Sequence, residues 1–378
     1  MELTTIAQKT LKDHQRLYIG FVDFEKAFDR VNHVKMTDML GKIGIDDTDL
    51  KIIKTLYKEQ KAAFKINGKM TDWFKINCGV RQGCLWSPSF FNLYSEEIII
   101  KALEDVEGIK IGGNNFNRIR YADDVAILTK SREELKKALE RIQTVGSEYG
   151  MKMNISKTKV MIISEEENID CKIMINQKII EQVKEYRYLG NLITEDGRSK
   201  KEIKTRIGMA KTAFWNHREL LRNDVNKSLK IRMLKCYVWS VFLYGCETWT
   251  LTKEYEKRID AFDMWCARRM LKIKWTDKIR NEEVWERIGS KYSLLEEIVA
   301  RKWKYAGHVL RGSAGPRIIT ALEGWTKREK RPGRPRKEWL DDLKAWSETR
   351  NYSELKRKSQ NRNYWRSMRA NLRIGERT

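Results

Sequence analysis

The chain contains 378 residues, of which 41% are hydrophobic and only four are proline, and its formal net charge is +24. This composition excludes an intrinsically disordered chain, and the length suffices for two or three domains with hydrophobic cores. No apolar run approaches the ~20 residues that a membrane-spanning helix requires, and the N terminus lacks a signal-peptide pattern. We therefore expect an intracellular protein without a membrane anchor.

The positive charge is concentrated in the second half of the chain. Residues 1–200 contain 33 Lys and Arg against 30 Asp and Glu, whereas residues 201–378 contain 43 against 22. A long basic half predicts a polyanionic partner, most simply nucleic acid; the alternative is the solvated surface of a charged helical domain. The six cysteines form no Cys-x-x-Cys pair, which predicts reduced, mostly buried thiols rather than a zinc site.

The first hundred residues mix strand and helix patterns. An apolar run at 17–24 predicts a buried strand that ends near Asp23, and a helical pattern follows over 33–60 with breaks at Gly41 and Gly44. Residues 62–78 predict a hairpin with Asn67-Gly68 as its turn. Ser87-Pro88 then predicts the start of an apolar helix that continues to about residue 104.

The middle of the chain predicts more strands, and the remainder predicts helices. Two strands over 117–129 meet at Ala122-Asp123-Asp124, and a helix capped by Ser131 covers 132–149. The other predicted strands are short and lie at 151–163, 171–180 and 186–193. Apolar residues spaced three and four apart predict helices within 200–275, 281–311 and 337–370. Because strands come first and long helices follow, the fold class is α+β.

Three aspartates stand at the ends of predicted apolar strands. Asp123 and Asp124 occupy a turn with apolar strand on both sides, and Asp23 ends the strand that includes Tyr18–Val22. Adjacent carboxylates repel each other, and divalent cations would offset that repulsion. If the strands are neighbours, the three carboxylates can hold two metal ions for phosphoryl transfer. The alternative is an ordinary acidic turn on a surface hairpin.

Five segments around these acids resemble, in order, motifs A to E of the reverse transcriptases of non-LTR (LINE-like) retrotransposons. They are Phe21-Val22-Asp23-Phe24-Glu25-Lys26-Ala27-Phe28-Asp29-Arg30-Val31 (A), Gly79-Val80-Arg81-Gln82-Gly83-Cys84-Leu85-Trp86-Ser87-Pro88 (B), Tyr121-Ala122-Asp123-Asp124 (C), Gly150-Met151-Lys152-Met153-Asn154-Ile155-Ser156-Lys157-Thr158-Lys159 (D) and Tyr188-Leu189-Gly190 (E). Five motifs in this order are far more specific than an isolated Tyr-Ala-Asp-Asp.

The resemblance continues towards the C terminus. Segments at 243–249, 264–271, 307–311 and 333–337 resemble the thumb and C-terminal region of the same element class. The fold implied is a right-hand polymerase palm, an antiparallel sheet packed on helices, followed by an all-α thumb and a basic helical region. The domains implied are residues 1–195 (palm with residual fingers), 196–275 (helical thumb) and 276–378 (basic helical C-terminal region).

The resemblance also implies roles for residues of the palm. Asp23 and Asp123 would be the main ligands of two Mg²⁺ ions, with Mn²⁺ as a possible substitute. The Phe24 carbonyl would assist, and Asp124 would be a weaker ligand or would shape the turn. Lys157 would support or protonate the pyrophosphate leaving group; the alternative is an ordinary surface lysine.

Other motif residues would bind substrate and primer. Phe28 would exclude a ribose 2′-hydroxyl as a steric gate; the alternative is core packing. The remaining residues implied to contact the nucleotide or template are Arg81, Gln82, Gly83 and Tyr121. The residues implied to form the primer grip are Tyr188, Leu189 and Gly190.

A basic segment at 327–337 holds seven basic residues and one acid. It predicts contact with nucleic acid, either with phosphates regardless of sequence or with arginine in a narrow minor groove. The residues predicted to make these contacts are Lys327, Arg328, Arg331, Arg334, Arg336 and Lys337.

The function implied is RNA-directed DNA synthesis, with an RNA template, a DNA primer or target and dNTPs as partners, in the nucleus or in a cytoplasmic ribonucleoprotein. The chain begins only 22 residues before Asp23, and family members carry fingers and an endonuclease upstream, so we expect a truncated copy. The alternative function is a catalytically impaired remnant that binds nucleic acid. A maturase or another right-hand polymerase has less support, because the C-terminal motifs are LINE-like.

Overall fold

The computed structural model describes residues 1–166, 169–223, 225–289, 293–325, 336–369 and 372. The chain forms two compact units, which we call the sheet unit (Gln15–Lys184) and the helical unit (Met1–His14 with Glu185–Thr378). Within the described ranges, no helix is both long and apolar enough to cross a membrane. All six cysteines are free thiols.

The α-helices, in chain order, are α1 (Glu2–Lys12), α2 (His33–Lys42), α3 (Asp47–Tyr57), α4 (Ser87–Ala102), α5 (Arg132–Glu148), α6 (Lys200–Asn216), α7 (Arg218–Arg222), α8 (Lys227–Met233), α9 (Ser240–Phe242), α10 (Lys253–Met270), α11 (Asn281–Ile288), α12 (Leu294–Leu310), α13 (Pro316–Glu323), α14 (Trp339–Ser347), α15 (Tyr352–Gln360) and α16 (Arg362–Met368). Short 3₁₀ segments cover Ala27–Arg30, Cys246–Thr248 and Trp275–Asp277, and a π-helical segment covers Leu234–Trp239.

The strands are β1 (Leu17–Val22), β2 (Lys61–Ala62), β3 (Lys65–Ile66), β4 (Lys69–Met70), β5 (Phe74–Lys75), β6 (Ile109–Ile111), β7 (Asn114–Phe116), β8 (Arg118–Tyr121), β9 (Asp124–Thr129), β10 (Lys159–Ile163), β11 (Ile173–Ile175), β12 (Lys178–Gln182), β13 (Glu185–Tyr188) and β14 (Asn191–Thr194). Six of them form one sheet in the order β11-β12-β10-β1-β9-β8.

Strand β1 lies inside this sheet and is buried along its whole length. Its uninterrupted apolar sequence explains that position, because an inner strand covered on both faces has no polar side. It pairs antiparallel with β9 and with β10, and Gly20 is opposite Ile127 on one side and Val160 on the other. Helices α4 and α5 contribute to the core, which includes Phe91, Ile98, Leu135 and Leu139. The predicted α+β class is therefore confirmed.

Three of the predicted strands differ from the observed structure. The strand predicted at 151–163 begins only at Lys159, because Asn154 turns the preceding chain: its side-chain oxygen accepts a hydrogen bond from Lys157 N–H at 3.2 Å. The strands predicted at 171–180 and 186–193 are hairpins. Their two-residue turns, at 176–177 and 189–190, use positive φ angles, and the first lacks the Asn-Gly signature that would have revealed it.

The helical unit has a core rich in tryptophan. Trp239, Trp249, Trp303, Trp339 and Trp365 are buried in one cluster. Core packing is therefore the observed role of this group. Other tryptophans of the unit, at 215, 275 and 325, are exposed.

A buried ion pair lies within this core. Lys302 Nζ is 2.5 Å from Asp342 Oδ2, and both side chains are fully buried. The ammonium group also donates to the Trp249 carbonyl at 2.7 Å, and Asp342 Oδ2 accepts a hydrogen bond from Leu251 N–H at 2.8 Å. The pair thus joins α12 and α14 to the segment that follows the 3₁₀ turn at Cys246–Thr248.

Candidate active site

The register of the sheet brings Asp23 and Asp124 to neighbouring positions. Val22, the last residue of β1, pairs with Val125 of β9. Continuing the antiparallel register by one residue places Asp23 opposite Asp124, which begins β9. The two strands are therefore neighbours, which is the condition on which the predicted convergence of the carboxylates depends.

Asp123 lies beside this pair in the turn of the β8–β9 hairpin. Tyr121 pairs with Asp124, so the turn consists of Ala122 and Asp123. Ala122 has a φ of +53°, which costs roughly 1–2 kcal/mol for a residue with a side chain. The Arg120 guanidinium supports the strained turn by donating to the Ala122 carbonyl at 3.3 Å. The strained turn presents Asp123 and Tyr121, both exposed, at the sheet edge.

The three carboxylates influence one another electrostatically. Burial raises the pKa of Asp23, and Asp123 raises it further, whereas Lys157 opposes the shift. Burial also raises the pKa of Asp124, with contributions from Asp123 and Asp23. These directions show that the Asp123 carboxylate makes both Asp23 and Asp124 harder to ionise. The cluster therefore has a local excess of negative charge, which a bound cation would stabilise.

The segment 152–158 holds Asp23 from the other side. Asp23 N–H donates to Thr158 Oγ1 at 3.3 Å, and Asn154 N–H donates to the Asp23 carbonyl at 2.8 Å. One residue further, Phe24 pairs with Met153, and the Phe24 side chain is buried. The motif resemblance identified 150–159 only as a segment, and the structure shows that this segment fixes the backbone at the end of β1. Lys157 itself is exposed.

The donor set fits a hard divalent cation in kind. Oδ2 of Asp23 is buried and has no hydrogen-bond partner in the structure, which is unusual for an oxygen of a charged group. Carboxylate oxygens are the ligands that Mg²⁺ and Mn²⁺ prefer. Within the described residues, no three Asp, Glu, His or Cys side chains are already drawn into a ligating cluster.

Phe28 and the loop that follows Gly79 lie close together. Val80 N–H donates to the Phe28 carbonyl at 2.9 Å, and Gly79 N–H donates to the Val31 carbonyl at 2.8 Å. The Phe28 ring stacks on Phe91 with a centroid distance of 4.1 Å, yet 36% of the residue remains exposed. Phe28 is therefore braced by the core on one side and open on the other. The loop residues Arg81, Gln82 and Gly83 are exposed.

The residues of the predicted primer grip form the turn of the β13–β14 hairpin, in the helical unit. Leu189 and Gly190 have φ angles of +49° and +78°. A Cβ atom at Gly190 would lie 2.8 Å from the ring of Tyr244, so this position requires glycine. Tyr244 also donates to the Leu189 carbonyl at 3.0 Å. Tyr188 is buried. The segment at 243–249 therefore buttresses this turn.

The predicted nucleic-acid segment is only partly described. Lys327, Arg328, Arg331 and Arg334 lie outside the described residues. Arg336 donates to the Asp196 carbonyl at 3.3 Å, and Lys337 Nζ lies 2.6 Å from Asp342 Oδ1. These last two side chains therefore make contacts within the helical unit.

Sequence reasoning missed several supporting residues of the site. Glu96 of α4 forms ion pairs with Arg118 at 3.0 Å and with Arg120 at 2.9 Å, which fixes β8 next to the acidic turn. Asn154 and Thr158 hold the backbone around Asp23. The alternation of Arg118 and Arg120 on a strand leading into two aspartates was the available signal, because buried-side arginines need a carboxylate partner.

Comparison with protein families gives a match that spans about half of the chain. The model of the family described as reverse transcriptase (RNA-dependent DNA polymerase) matches residues 2–193. That range includes all of the motif residues from Asp23 to Gly190.

Curated relatives are proteins of mobile elements. An uncharacterized transposon-derived protein of Caenorhabditis elegans is 26% identical over 251 residues, which cover 64% of this chain and 89% of that protein. The Pol polyprotein of the retrotransposable element R2 of Nasonia vitripennis is 30% identical over 36% of this chain and 13% of the polyprotein. The RNA-directed DNA polymerase from the mobile element jockey of Drosophila funebris is 24% identical over 70% of this chain and 29% of that polymerase. The chain therefore spans less than a third of these two larger relatives.

Solved structures that resemble the chain include apo telomerase from Candida tropicalis. The TM-score is 0.41 and the identity is 14%, over 84% of this chain and 56% of that one.

Proposed function

Because the chain belongs to the reverse transcriptase family, among relatives from non-LTR retrotransposons, we propose that its sheet unit is a polymerase palm that adds deoxynucleotides to a primer 3′-hydroxyl on an RNA template. The observation that carries the proposal is the convergence of Asp23, Asp123 and Asp124 at one sheet edge, with a buried and unpartnered oxygen on Asp23.

In this proposal the three aspartates bind the metal ions of the reaction. Asp23 and Asp123 are the main ligands of two divalent cations, Mg²⁺ or Mn²⁺, and Asp124 completes the negative site. When bound, such cations polarise the phosphoryl oxygens and stabilise the attacking and leaving oxygens. The hydrogen bonds from Asn154 and to Thr158 fix the backbone that carries Asp23, so its carboxylate is oriented before substrate arrives.

Other residues have proposed roles in substrate selection and product release. Phe28, braced against Phe91, blocks a ribose 2′-hydroxyl by steric clash. Lys157 holds a proton and positive charge near the departing pyrophosphate. Arg81, Gln82, Gly83 and Tyr121 contact the template or nucleotide from exposed positions.

The domain roles and partners belong to the same proposal. Residues 1–195 act as the palm with residual fingers and include the primer grip at Tyr188–Gly190, residues 196–275 act as the thumb, and residues 276–378 act as a basic region that binds nucleic acid. The RNA template, a DNA primer or target and dNTPs are the proposed substrates. A nuclear or cytoplasmic ribonucleoprotein location follows from those partners.

Primer extension tests this proposal. Purified chain, an RNA template, an annealed DNA primer, dNTPs and Mg²⁺ are combined, and the same assay is run with Asp123→Ala. The matched control is Asp170→Ala, which removes an exposed carboxylate of the sheet unit outside the site. We expect extension by the unchanged chain and by Asp170→Ala, and a loss of at least about 1,000-fold in Asp123→Ala. No extension above the Asp123→Ala background, with nucleic-acid binding retained, would instead identify a binding remnant.

A further inference from the structure

A large groove opens on the helical unit, and none of its lining residues has a proposed catalytic role. Its volume is about 1410 Å³, and its lining comes mainly from α12 and α16. None of the five motifs accounts for it, apart from the segment 307–311 that resembles other element proteins without an assigned role.

The floor of the groove is rigid. The rings of Trp303 and Trp365 stack at 3.9 Å with an interplanar angle of 4°. Each indole N–H donates to the carbonyl of the other tryptophan at 2.9 Å. A Cβ atom at Gly307 would lie 2.4 Å from Trp365 Nε1, so glycine allows α16 to pack directly on α12. This reciprocal arrangement fixes the spacing of the two helices that carry the groove's charged side chains.

Both helices direct basic side chains into the groove. Successive basic residues on α12 and just past its C-terminal end are three or four residues apart, which places them on one face of the helix. The basic residues of α16 have the same spacing. These side chains are Arg301, Lys304, His308 and Arg311 on the first helix, and Arg362, Arg366 and Arg369 on the second. The acidic members of the lining are Glu247 and Glu297, and Glu297 is paired with Arg301 at 3.0 Å. The groove therefore carries a marked excess of positive charge.

Several of these cations lack an opposite charge. Among the residues that the structure describes, no carboxylate lies within ion-pair distance of Lys304, Arg311, Arg362 or Arg366, although the same unit pairs many of its other basic residues. Like charges held together without counter-charges are unfavourable, so the cluster is suited to an anionic ligand.

Arg311 is the most constrained member of the cluster. One of its terminal nitrogens donates to the Ser359 carbonyl at 2.8 Å, whereas its Nε–H is buried without a partner. Burial lowers the pKa of Arg311, and repulsion from Arg362 and Arg366 lowers it further. A buried donor without an acceptor is rare and costly in a folded protein, which distinguishes Arg311 from the exposed cations of the groove.

We propose that this groove binds the phosphodiester backbone of a single-stranded nucleic acid, with Lys304, Arg311, Arg362 and Arg366 contacting its phosphates. The proposal deepens the proposed function, because a polymerase must hold the unpaired part of its template. The choice of nucleic acid as the ligand rests on the proposed function. The charge and shape of the groove do not depend on the acidic site.

We infer a single strand rather than a duplex because the basic side chains of the groove come from only two adjacent helices, and a rigid duplex presents its phosphates at fixed positions. A flexible strand can follow a narrow basic channel phosphate by phosphate. Bases are expected to face outward, because the floor tryptophans are already stacked on each other and buried.

The test compares two variants that lose the same charge. The groove variant is Lys304→Gln/Arg362→Gln/Arg366→Gln, which changes three exposed side chains. The matched control is Lys253→Gln/Lys257→Gln/Lys278→Gln, which removes three exposed charges of the same unit outside the groove. Binding of a fluorescein-labelled single-stranded RNA of about 20 nucleotides, longer than common single-strand sites, is followed by fluorescence anisotropy over a range of salt concentrations.

We expect the groove variant to bind about 100-fold more weakly at about 0.1 M salt, with the slope of log affinity against log salt reduced by about 2, because three phosphate contacts are lost. The control should change affinity by less than about threefold. Arg311→Lys, which keeps the charge but removes the Nε donor, should also weaken binding, with its folding checked by thermal unfolding. The proposal would be overturned if the groove and control variants lost equal affinity for the single strand. It would also be overturned if the groove variant lost affinity for a duplex but not for the single strand.

Failure of this inference can be separated from failure of the polymerase proposal. Asp123→Ala should bind the labelled strand as the unchanged chain does. If the unchanged chain extends no primer while the groove variant still loses binding, the polymerase proposal fails and the groove assignment stands. If primer extension is present and the groove variant binds like the control, the groove assignment fails alone.

Discussion

Breaking the buried ion pair of the helical unit is a sharp test of how that unit is held together. Lys302→Met keeps the length and apolar character of the side-chain stem but removes the ammonium group. Asp342 would keep its hydrogen bond from Leu251 N–H at 2.8 Å and its contact with Lys337 at 2.6 Å, yet its Oδ2 would lose the cation at 2.5 Å. The carboxylate would then be buried with incomplete compensation.

The cost follows from the burial of both partners. Removing one partner of a buried ion pair destabilises proteins by about 3–5 kcal/mol. Because Lys337 remains, we expect the lower part of that range, about 3 kcal/mol. For a unit of roughly 200 residues this corresponds to a decrease in Tm of about 6–12 °C. The double variant Lys302→Met/Asp342→Leu removes both charges and should recover at least about 1 kcal/mol of the loss.

Urea denaturation of the single and double variants measures these values, with circular dichroism and tryptophan fluorescence as probes. A double-mutant cycle should give a coupling energy of about 2 kcal/mol or more between Lys302 and Asp342. A coupling energy near zero would refute the assigned role of the pair. In that case the double variant would lose as much stability, relative to the unchanged chain, as the two single variants lose together.

The same pair predicts a pH dependence. Burial lowers the pKa of Lys302 to about 8 from an ordinary value of 10.5. Between these values the folded chain binds fewer protons at Lys302 than the unfolded chain, so the free energy of unfolding rises with pH. Across the window the rise is about 3 kcal/mol. The unchanged chain should therefore gain stability relative to Lys302→Met from pH 8 to 10.5; a difference that stays constant or shrinks contradicts the shift.

Three further predictions concern the site and the groove. Asp23→Asn should raise the Tm in metal-free buffer by about 2–6 °C, because the raised pKa of Asp23 means that its ionised form destabilises the folded chain above the ordinary pKa of 3.8. The same variant should lack the Tm increase that Mg²⁺ causes in the unchanged chain, and differential scanning fluorimetry measures both effects. Phe28→Ala should relax discrimination against ribonucleotides by about 10–100-fold in single-nucleotide extension, and unchanged discrimination would remove Phe28 from the role of gate. Gly307→Ala should destabilise the helical unit by about 1–3 kcal/mol because its Cβ would lie 2.4 Å from Trp365 Nε1, whereas Gly208→Ala, where a Cβ meets nothing within 4 Å, should not destabilise it.

The parts of the fold that the sequence predicted well are those where one local signal dominates. The apolar run of β1, the Asn67-Gly68 turn and the Ser87-Pro88 helix start all lie where they were predicted. The motif resemblance is confirmed by the family match over residues 2–193. The convergence of Asp23 and Asp124 was predicted on the condition that their strands are neighbours, and the β1–β9 register meets that condition.

The remaining features depend on contacts between distant residues. The hairpin at 173–182 turns at Asn176-Gln177, where both residues adopt positive φ without glycine, so the sequence carries only the weak turn preference of Asn176. Arg120 and Glu96 support the acidic turn from two elements that are 24 residues apart in sequence. The basic groove needs α12 and α16 to pack through Gly307, and a count of charges along the chain cannot show that packing.

The central claim is that Asp23 and Asp123 act in one site for nucleotidyl transfer, and a mutant cycle on a single addition measures this most directly. One deoxynucleotide is added to a DNA primer on an RNA template in Mg²⁺, under single-turnover conditions, by the unchanged chain, Asp23→Ala, Asp123→Ala and the double variant. Groups that act as a unit are strongly non-additive in such cycles. We predict that either single substitution reduces the rate to the level of the double variant. Rates near that of the unchanged chain in either single variant, or no addition by the unchanged chain itself, would contradict the account.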